Sequence, residues 1–196
     1  GVTSDEIQQI LIKSASDLIS LENPNYQYVA ARLLLFSLRK SLFHRLWEHP
    51  HLKEHINNCI DKGVYDKEFL QWYDDNEINA MQDMIKHERD YFFSYAGLRQ
   101  VIDKYLVQDR SSGQIFETPQ FMYLMIAATL FRNYDKDKRL LYVKKYYNAI
   151  SQHFINIPTP VMAGVRTPLR QFASCVLVDS DDTLPSIFSS DMAIGR

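Results

Sequence analysis

The chain has 196 residues, 46% of them hydrophobic and 23% charged, with a formal net charge of −2. That length suits one sizeable core, or a small domain with part of a larger one, and the charge balance gives no bulk positive field for nucleic acid or an anionic membrane. No apolar run reaches the roughly 18–20 residues of a membrane helix, and two cysteines cannot build a disulfide framework, so a reducing cytoplasm is expected.

In chain order, Thr3-Ser4-Asp5-Glu6 fits a capping box. Ile7, Ile10, Leu11, Ala15, Leu18 and Ile19 follow at helical spacing. Asn23-Pro24-Asn25 breaks that helix, and the period resumes from Tyr26 to about Phe43, predicting an antiparallel helical hairpin. After a junction from His44 to Pro50, Leu52 to Asp61 reads as a helix stopped by Gly63. Lys67 to Tyr73 reads as a short helix. Glu77 to Arg89 reads as a clearer one, with Ile78, Met81, Met84 and Ile85 on one face. Tyr105-Leu106-Val107 and Gln114-Ile115-Phe116 flank a Gly-containing loop and predict a β-hairpin. Thr118-Pro119 is an N-cap followed by Pro at the first helical position. The helix it opens, Gln120 to Phe131, is apolar nearly all round and should be buried. Asp135 to Lys138 reads as a charged break, and Leu140 to His153 as an amphipathic helix. Ile155 to Arg170, with three prolines and a glycine, predicts extended irregular chain. Phe172 to Val178 predicts a strand, and Asp182-Thr183 can cap a last helix running towards Ile194. Gly1 has no Met before it, and only a lone Gly marks the last stretch, so a fragment of a longer protein is expected. The residues alone give a mainly helical chain entering an α/β domain.

Cys59 lies inside a predicted helix with no nearby base and reads as a packing residue. Cys175 heads an apolar run just after a Pro/Gly-rich loop, where α/β sites assemble; packing and chemistry both stay open for it. His49, His51 and His55 cluster, and the last two share a helical face. Without an H-E-x-x-H pattern they read as a solvated helix start rather than a zinc site. Asp179, Asp181 and Asp182 lack the EF-hand spacing, and no phosphate-binding glycine motif occurs.

One string is more specific. Pro158-Thr159-Pro160, Met162-Ala163-Gly164-Val165-Arg166-Thr167-Pro168 and Arg170-Gln171-Phe172-Ala173-Ser174-Cys175-Val176-Leu177 resemble the start of the catalytic barrel in the large (alpha) subunit of class I ribonucleotide reductases. Tyr105 to Arg110, Gly113 to Glu117 and Asn25 to Leu33 continue the resemblance upstream. The enterobacterial and T4-like phage branch looks nearest. The fold implied is mainly α with a small β-hairpin, leading into the first strand of a ten-stranded α/β barrel. Residues 1–43 would be the last helices of an ATP-cone, 44–154 a helical domain with its hairpin near 105–117, and 155–196 the start of the barrel.

The resemblance implies reduction of ribonucleoside diphosphates to deoxyribonucleoside diphosphates by thiyl-radical chemistry. Cys175 matches one member of the redox cysteine pair, and Thr159, Ser174 and Cys175 match substrate-contacting positions. Asp182, Thr183 and Leu184 match the opening of the specificity-effector site. Ser4 and Lys40 match nucleotide contacts of the cone, and Gln8 stands where the family often has His. No metal or cofactor is expected on this chain. ATP or dATP and deoxynucleoside triphosphates would be effectors, and a metal-containing beta subunit would supply the radical. Expected partners are a second alpha chain, the beta subunit, and thioredoxin or glutaredoxin through the full-length chain. Neither nucleic acid nor membrane is expected as a partner. The radical cysteine, the partner of Cys175 and the shuttle cysteines have no match here, so this chain alone would be inactive. From another class comes the alternative of a helical regulatory or interaction fragment with no catalysis of its own.

Overall fold

A computed structural model describes residues 1–44, 48–109, 111–169, 172–173, 175 and 177–195. Helix α1 (Ser4–Asp17) starts with the expected capping box: Thr3 Oγ1 accepts from the Glu6 N–H and Glu6 accepts from the Thr3 N–H. Helix α2 (Tyr26–Phe43) runs back along it, burying Ala31, Leu34, Leu35 and Leu38. Gln8 Nε2 donates to Leu33 O at 2.9 Å and ties the pair together. The opposite side of α1 exposes Ile7, Ile10 and Leu11.

Helix α3 (Leu52–Asp61) ends as expected, with Gly63 at φ 69°, where a side chain would be strained. Helix α4 (Phe69–Trp72) is one turn. Helix α5 (Asp75–Gln82) differs from the expected 77–89 element. Asp74 caps it in a box with Glu77, so Glu77 belongs to its first turn. Past Gln82 the backbone tightens, with Met84 N–H bonding Met81 O and Ile85 N–H bonding Gln82 O, and His87–Phe92 is a 3-10 helix. Periodicity led us to expect nothing between Arg89 and Tyr105, yet helix α6 (Tyr95–Lys104) forms there. Ser94 caps it, and Leu98, Val101 and Ile102 face inward.

The hairpin is present but shifted: β1 (Gln108–Asp109) pairs antiparallel with β2 (Gln114–Ile115). Residue 110 of its loop lies outside the described residues. Tyr105, expected in the first strand, instead caps α6, because its N–H still bonds Val101 O. Helix α7 (Pro119–Phe131) is the buried centre that its composition requires; Phe121, Met122, Leu124 and Ile126 have no exposed surface. Each such side chain contributes about 1.5–3 kcal/mol when removed from water. Thr118 sits at its N-cap, but the Thr118 hydroxyl makes no cap bond. Helix α8 (Lys136–Ser151) includes the expected charged break, since Lys136, Asp137 and Lys138 form a solvated first turn.

The segment expected to be irregular holds helix α9 (Thr159–Gly164). Pro160 is in its first turn, where a missing N–H costs nothing. The expected strand at 172–178 is not seen among the described residues of that stretch. They have no regular structure, and Phe172 and Leu177 are exposed. A lone strand has no ladder to join, and its backbone bonds must come from a neighbour. Helix α10 (Leu184–Ile194) is capped by Thr183 as expected and buries no residue.

Candidate functional site

Where α6 ends and α9 begins, the chain brackets a cavity of about 710 Å³. Gln100 lines it from α6 and Tyr105 from the α6 cap, Asn156 and His153 from the α8–α9 link, and Thr159 from the start of α9. Pro158, extended at ψ 151°, places Thr159 at the first helical position with its side chain exposed. Thr159 Oγ1 lies 3.2 Å from Tyr105 Oη, and Gln100 Nε2 donates to Tyr105 Oη at 3.5 Å. Those hydrogen bonds, to Thr159 first and Gln100 second, lower the Tyr105 pKa.

Behind the cavity wall lies a buried ion pair. Arg166 is 1% exposed and Glu117 0%. Arg166 Nε donates to Glu117 Oε2 at 2.9 Å, and Nη2 also reaches that carboxylate. Nη1 donates to Met162 O at 2.5 Å and Nη2 to Tyr105 O at 2.8 Å. One guanidinium therefore fastens α9 and the end of α6 to Glu117, two residues before α7. Burial pulls the Arg166 pKa down, but the Glu117 charge and hydrogen bonds outweigh it, and the net shift is upward. Glu117 also accepts from Val107 N–H at 2.8 Å and from Tyr65 Oη at 2.5 Å. The single phenol proton of Tyr65 goes to Glu117, so His55 meets Tyr65 as an Nε2–H donor, at 3.1 Å.

Cys59 completes this cluster. Its Sγ is 3.7 Å from His55 Nε2, but that nitrogen carries the proton given to Tyr65, so the imidazole neighbours the thiol without acting as its base. His55 lies one helical turn back from Cys59, on the same inward face. The packing reading still holds, because burial first and Glu117 second push the thiol far above its ordinary pKa.

A second network lies on the other side of the α7 start. Arg39 Nη2 donates to Asp90 Oδ2 at 3.2 Å and to His87 O at 3.0 Å. Gln120 Nε2 donates to Asp90 Oδ1 at 3.0 Å, and Tyr147 Oη donates to Gln120 Oε1 at 2.7 Å. Burial pushes Asp90 up to about 6 against the opposing pull of Arg39 and Gln120. The rings of His49 and His87 lie with centroids 3.6 Å apart, tilted by 36°, and burial lowers them to about 4 and about 2.

The expected site residues fall in four places. Ser4 and Lys40 are brought together: Lys40 Nζ donates to Ser4 Oγ at 3.1 Å and to Asp5 Oδ1 at 2.9 Å. Thr159 is on the cavity. Asp182, Thr183 and Leu184 form the exposed start of α10, where Thr183 Oγ1 accepts from Ser186 N–H. Cys175 is exposed and does not line the Thr159 cavity, and Ser174 lies outside the described residues. His51 caps α3 through Nδ1 while His55 points into the core, so the two do not converge. Among the described residues no group of three or more His, Cys, Asp or Glu could hold a metal ion. Tyr105, Glu117 and Arg166 escaped the sequence reading as site residues. The available signal was a lone Glu at the head of an all-apolar helix and a lone Arg among small and apolar residues. Both patterns demand a buried partner.

Comparison with known proteins places these networks in context. Residues 91–170 match the all-alpha domain of ribonucleotide reductase. Over 99% of its length the chain is 46% identical to "Ribonucleoside-diphosphate reductase 1 subunit alpha" of Escherichia coli, and 47% to that of Salmonella typhimurium. It is 46% identical to "Ribonucleoside-diphosphate reductase subunit alpha" of Enterobacteria phage T4 over the same share. The chain spans about a quarter of the length of these relatives. Glu117, Gln120, Tyr147 and Arg166 lie within the matched stretch, while Arg39, His55, Tyr65 and Asp90 precede it, and over nearly its whole length the chain is similar to ribonucleoside-diphosphate reductase alpha subunits.

Proposed function

We propose that this chain is part of a ribonucleoside-diphosphate reductase large subunit. The observation that carries the reading is the 46% identity sustained over 194 residues to alpha subunits of that name. On this reading residues 1–43 are cone helices, 44–154 the helical domain and 155–196 the entry to the catalytic barrel. The subunit reduces ribonucleoside diphosphates in the cytoplasm. A thiyl radical elsewhere in the subunit removes the 3′ hydrogen. A cysteine pair that includes Cys175 then becomes a disulfide, supplying two electrons as water leaves C2′. Thr159 and Ser174 contact substrate oxygens, and Asp182, Thr183 and Leu184 open the specificity site for deoxynucleoside triphosphates. The radical comes from a metal-containing beta subunit, a second alpha chain completes the dimer, and thioredoxin or glutaredoxin re-reduces the enzyme. This chain alone is inactive.

Ser4 and Lys40 suit a nucleotide phosphate in type, a hydroxyl and an ammonium 3.1 Å apart beside the start of α1. Asp5 shares that ammonium at 2.9 Å, so a bound phosphate must draw Lys40 away from it.

The redox role of Cys175 is tested with Cys175→Ser in the full-length alpha subunit, assembled with its radical-supplying partner and a dithiol reductant. The expected result is loss of multiple turnover. Product amounting to many equivalents per enzyme removes Cys175 from the redox pair.

A further inference from the structure

The hydroxyl pair on the cavity rim has a direction. Tyr105 Oη and Thr159 Oγ1 are 3.2 Å apart, and geometry alone lets either donate. Three observations choose. Gln100 Nε2 donates to Tyr105 Oη, so a lone pair of the phenol oxygen is taken and its proton is available for Thr159. The phenol is also much the stronger acid of the two hydroxyls. The aliphatic Thr159 oxygen is the better acceptor. Finally, Tyr105 cannot swing away. It is 9% exposed, its carbonyl is held by Arg166 Nη2 at 2.8 Å, and its N–H bonds Val101 O at 3.0 Å.

A hydroxyl has one proton and two lone pairs. With one lone pair of Thr159 Oγ1 filled by Tyr105, the Thr159 proton points elsewhere, and the exposed side of this residue is the cavity. An acceptor-only anionic oxygen suits such a donor, and the hydrogen bond is then charge-assisted. We propose that Tyr105 is a positioning residue: its phenol turns the Thr159 hydroxyl into an outward donor for a phosphate oxygen of a nucleoside diphosphate. This rests on the reading of Thr159 as a substrate contact. Gln100 sets the sense of the chain, and Arg166 with Glu117 holds Tyr105 in place.

The test uses the full-length alpha subunit with its radical-supplying partner, measuring KM and kcat for a ribonucleoside diphosphate. Tyr105→Phe keeps the ring and removes the donor. KM is expected to rise about three- to tenfold, the worth of one hydrogen bond, with kcat within about twofold. Thr159→Val is expected to raise KM at least as much, and the double variant no further, because Tyr105 acts only through Thr159. Gln100→Leu, on the surface of α6, is expected to give a smaller KM rise without lowering the thermal midpoint. Additive penalties in the double variant overturn the proposal. So does an unchanged KM in Tyr105→Phe beside a raised KM in Thr159→Val, which leaves the Thr159 reading standing. An unchanged KM in Thr159→Val takes down both, and marks the substrate contact itself as the error.

Discussion

Arg166 and Glu117 hold opposite charges where water does not reach them, and each saturates the other with help from three backbone groups. A buried pair of this kind adds little net stability over apolar residues, but breaking it strands a charge. Arg166→Met should therefore cost about 3–5 kcal/mol, read as a fall in the urea unfolding midpoint. Adding Glu117→Leu should recover only part of that, because Tyr65 Oη, the Val107 N–H and two carbonyls remain without their partners. At this scale the sequence was half legible. The Arg166-Thr167-Pro168 string was visible, but nothing in spacing said that its Arg would reach 49 residues back to Glu117. Likewise Cys59 read correctly as packing while its neighbour His55 was missed as a core residue. A histidine in a polar run looks solvated until the fold turns one face inward.

Helices were legible where caps and period agreed, and the misplacements have physical causes. α1 and α2 are where the capping box, the Asn23-Pro24-Asn25 break and the apolar stripe put them. α6 was hidden because Gly97 sits in its first turn and its start signal is a single Ser, although Leu98, Val101 and Ile102 keep the period. α9 was hidden because prolines read as breakers, and in a first turn they are not. The expected strand at 172–178 depends on neighbours rather than on its own residues, so propensity alone could not secure it. Gly63 gives a test at this scale. At φ 69°, with nothing within 4 Å of an added Cβ, Gly63→Ala meets strain but no clash. It should cost about 1–2 kcal/mol, seen as a lower thermal midpoint with an unchanged helical circular dichroism signal.

Over the whole molecule the buried titratable groups sum to an acid sensitivity. His55 and His87 are neutral when folded, with burial lowering them from 6.5 to about 3 and about 2. Unfolded histidines bind protons below about 6.5, so stability is complete above that pH and is lost as pH falls. Each of the two approaches about 1.4 kcal/mol per pH unit well below 6.5. His49, lowered to about 4 but partly exposed, adds less. Asp90, raised to about 6, works the other way: its contribution is present below 3.8 and lost as pH rises through 6. Two or three histidines outweigh one aspartate, so the urea midpoint should fall steadily from pH 7 to pH 5, and a flat profile contradicts the buried neutral histidines. His87→Phe should flatten it.

The long reach of the buried pairs also bears on how such a chain is made. Glu117 leaves the ribosome 49 residues before Arg166. At about 5–20 residues per second that is a wait of roughly 2–10 s. Until Arg166 arrives, the carboxylate at the head of α7 must stay hydrated, and the most apolar helix of the chain cannot be sealed at that end. The helical unit is therefore finished only once residues of the following segment have been synthesised, and a chain stalled just short of Arg166 would present α7 to chaperones.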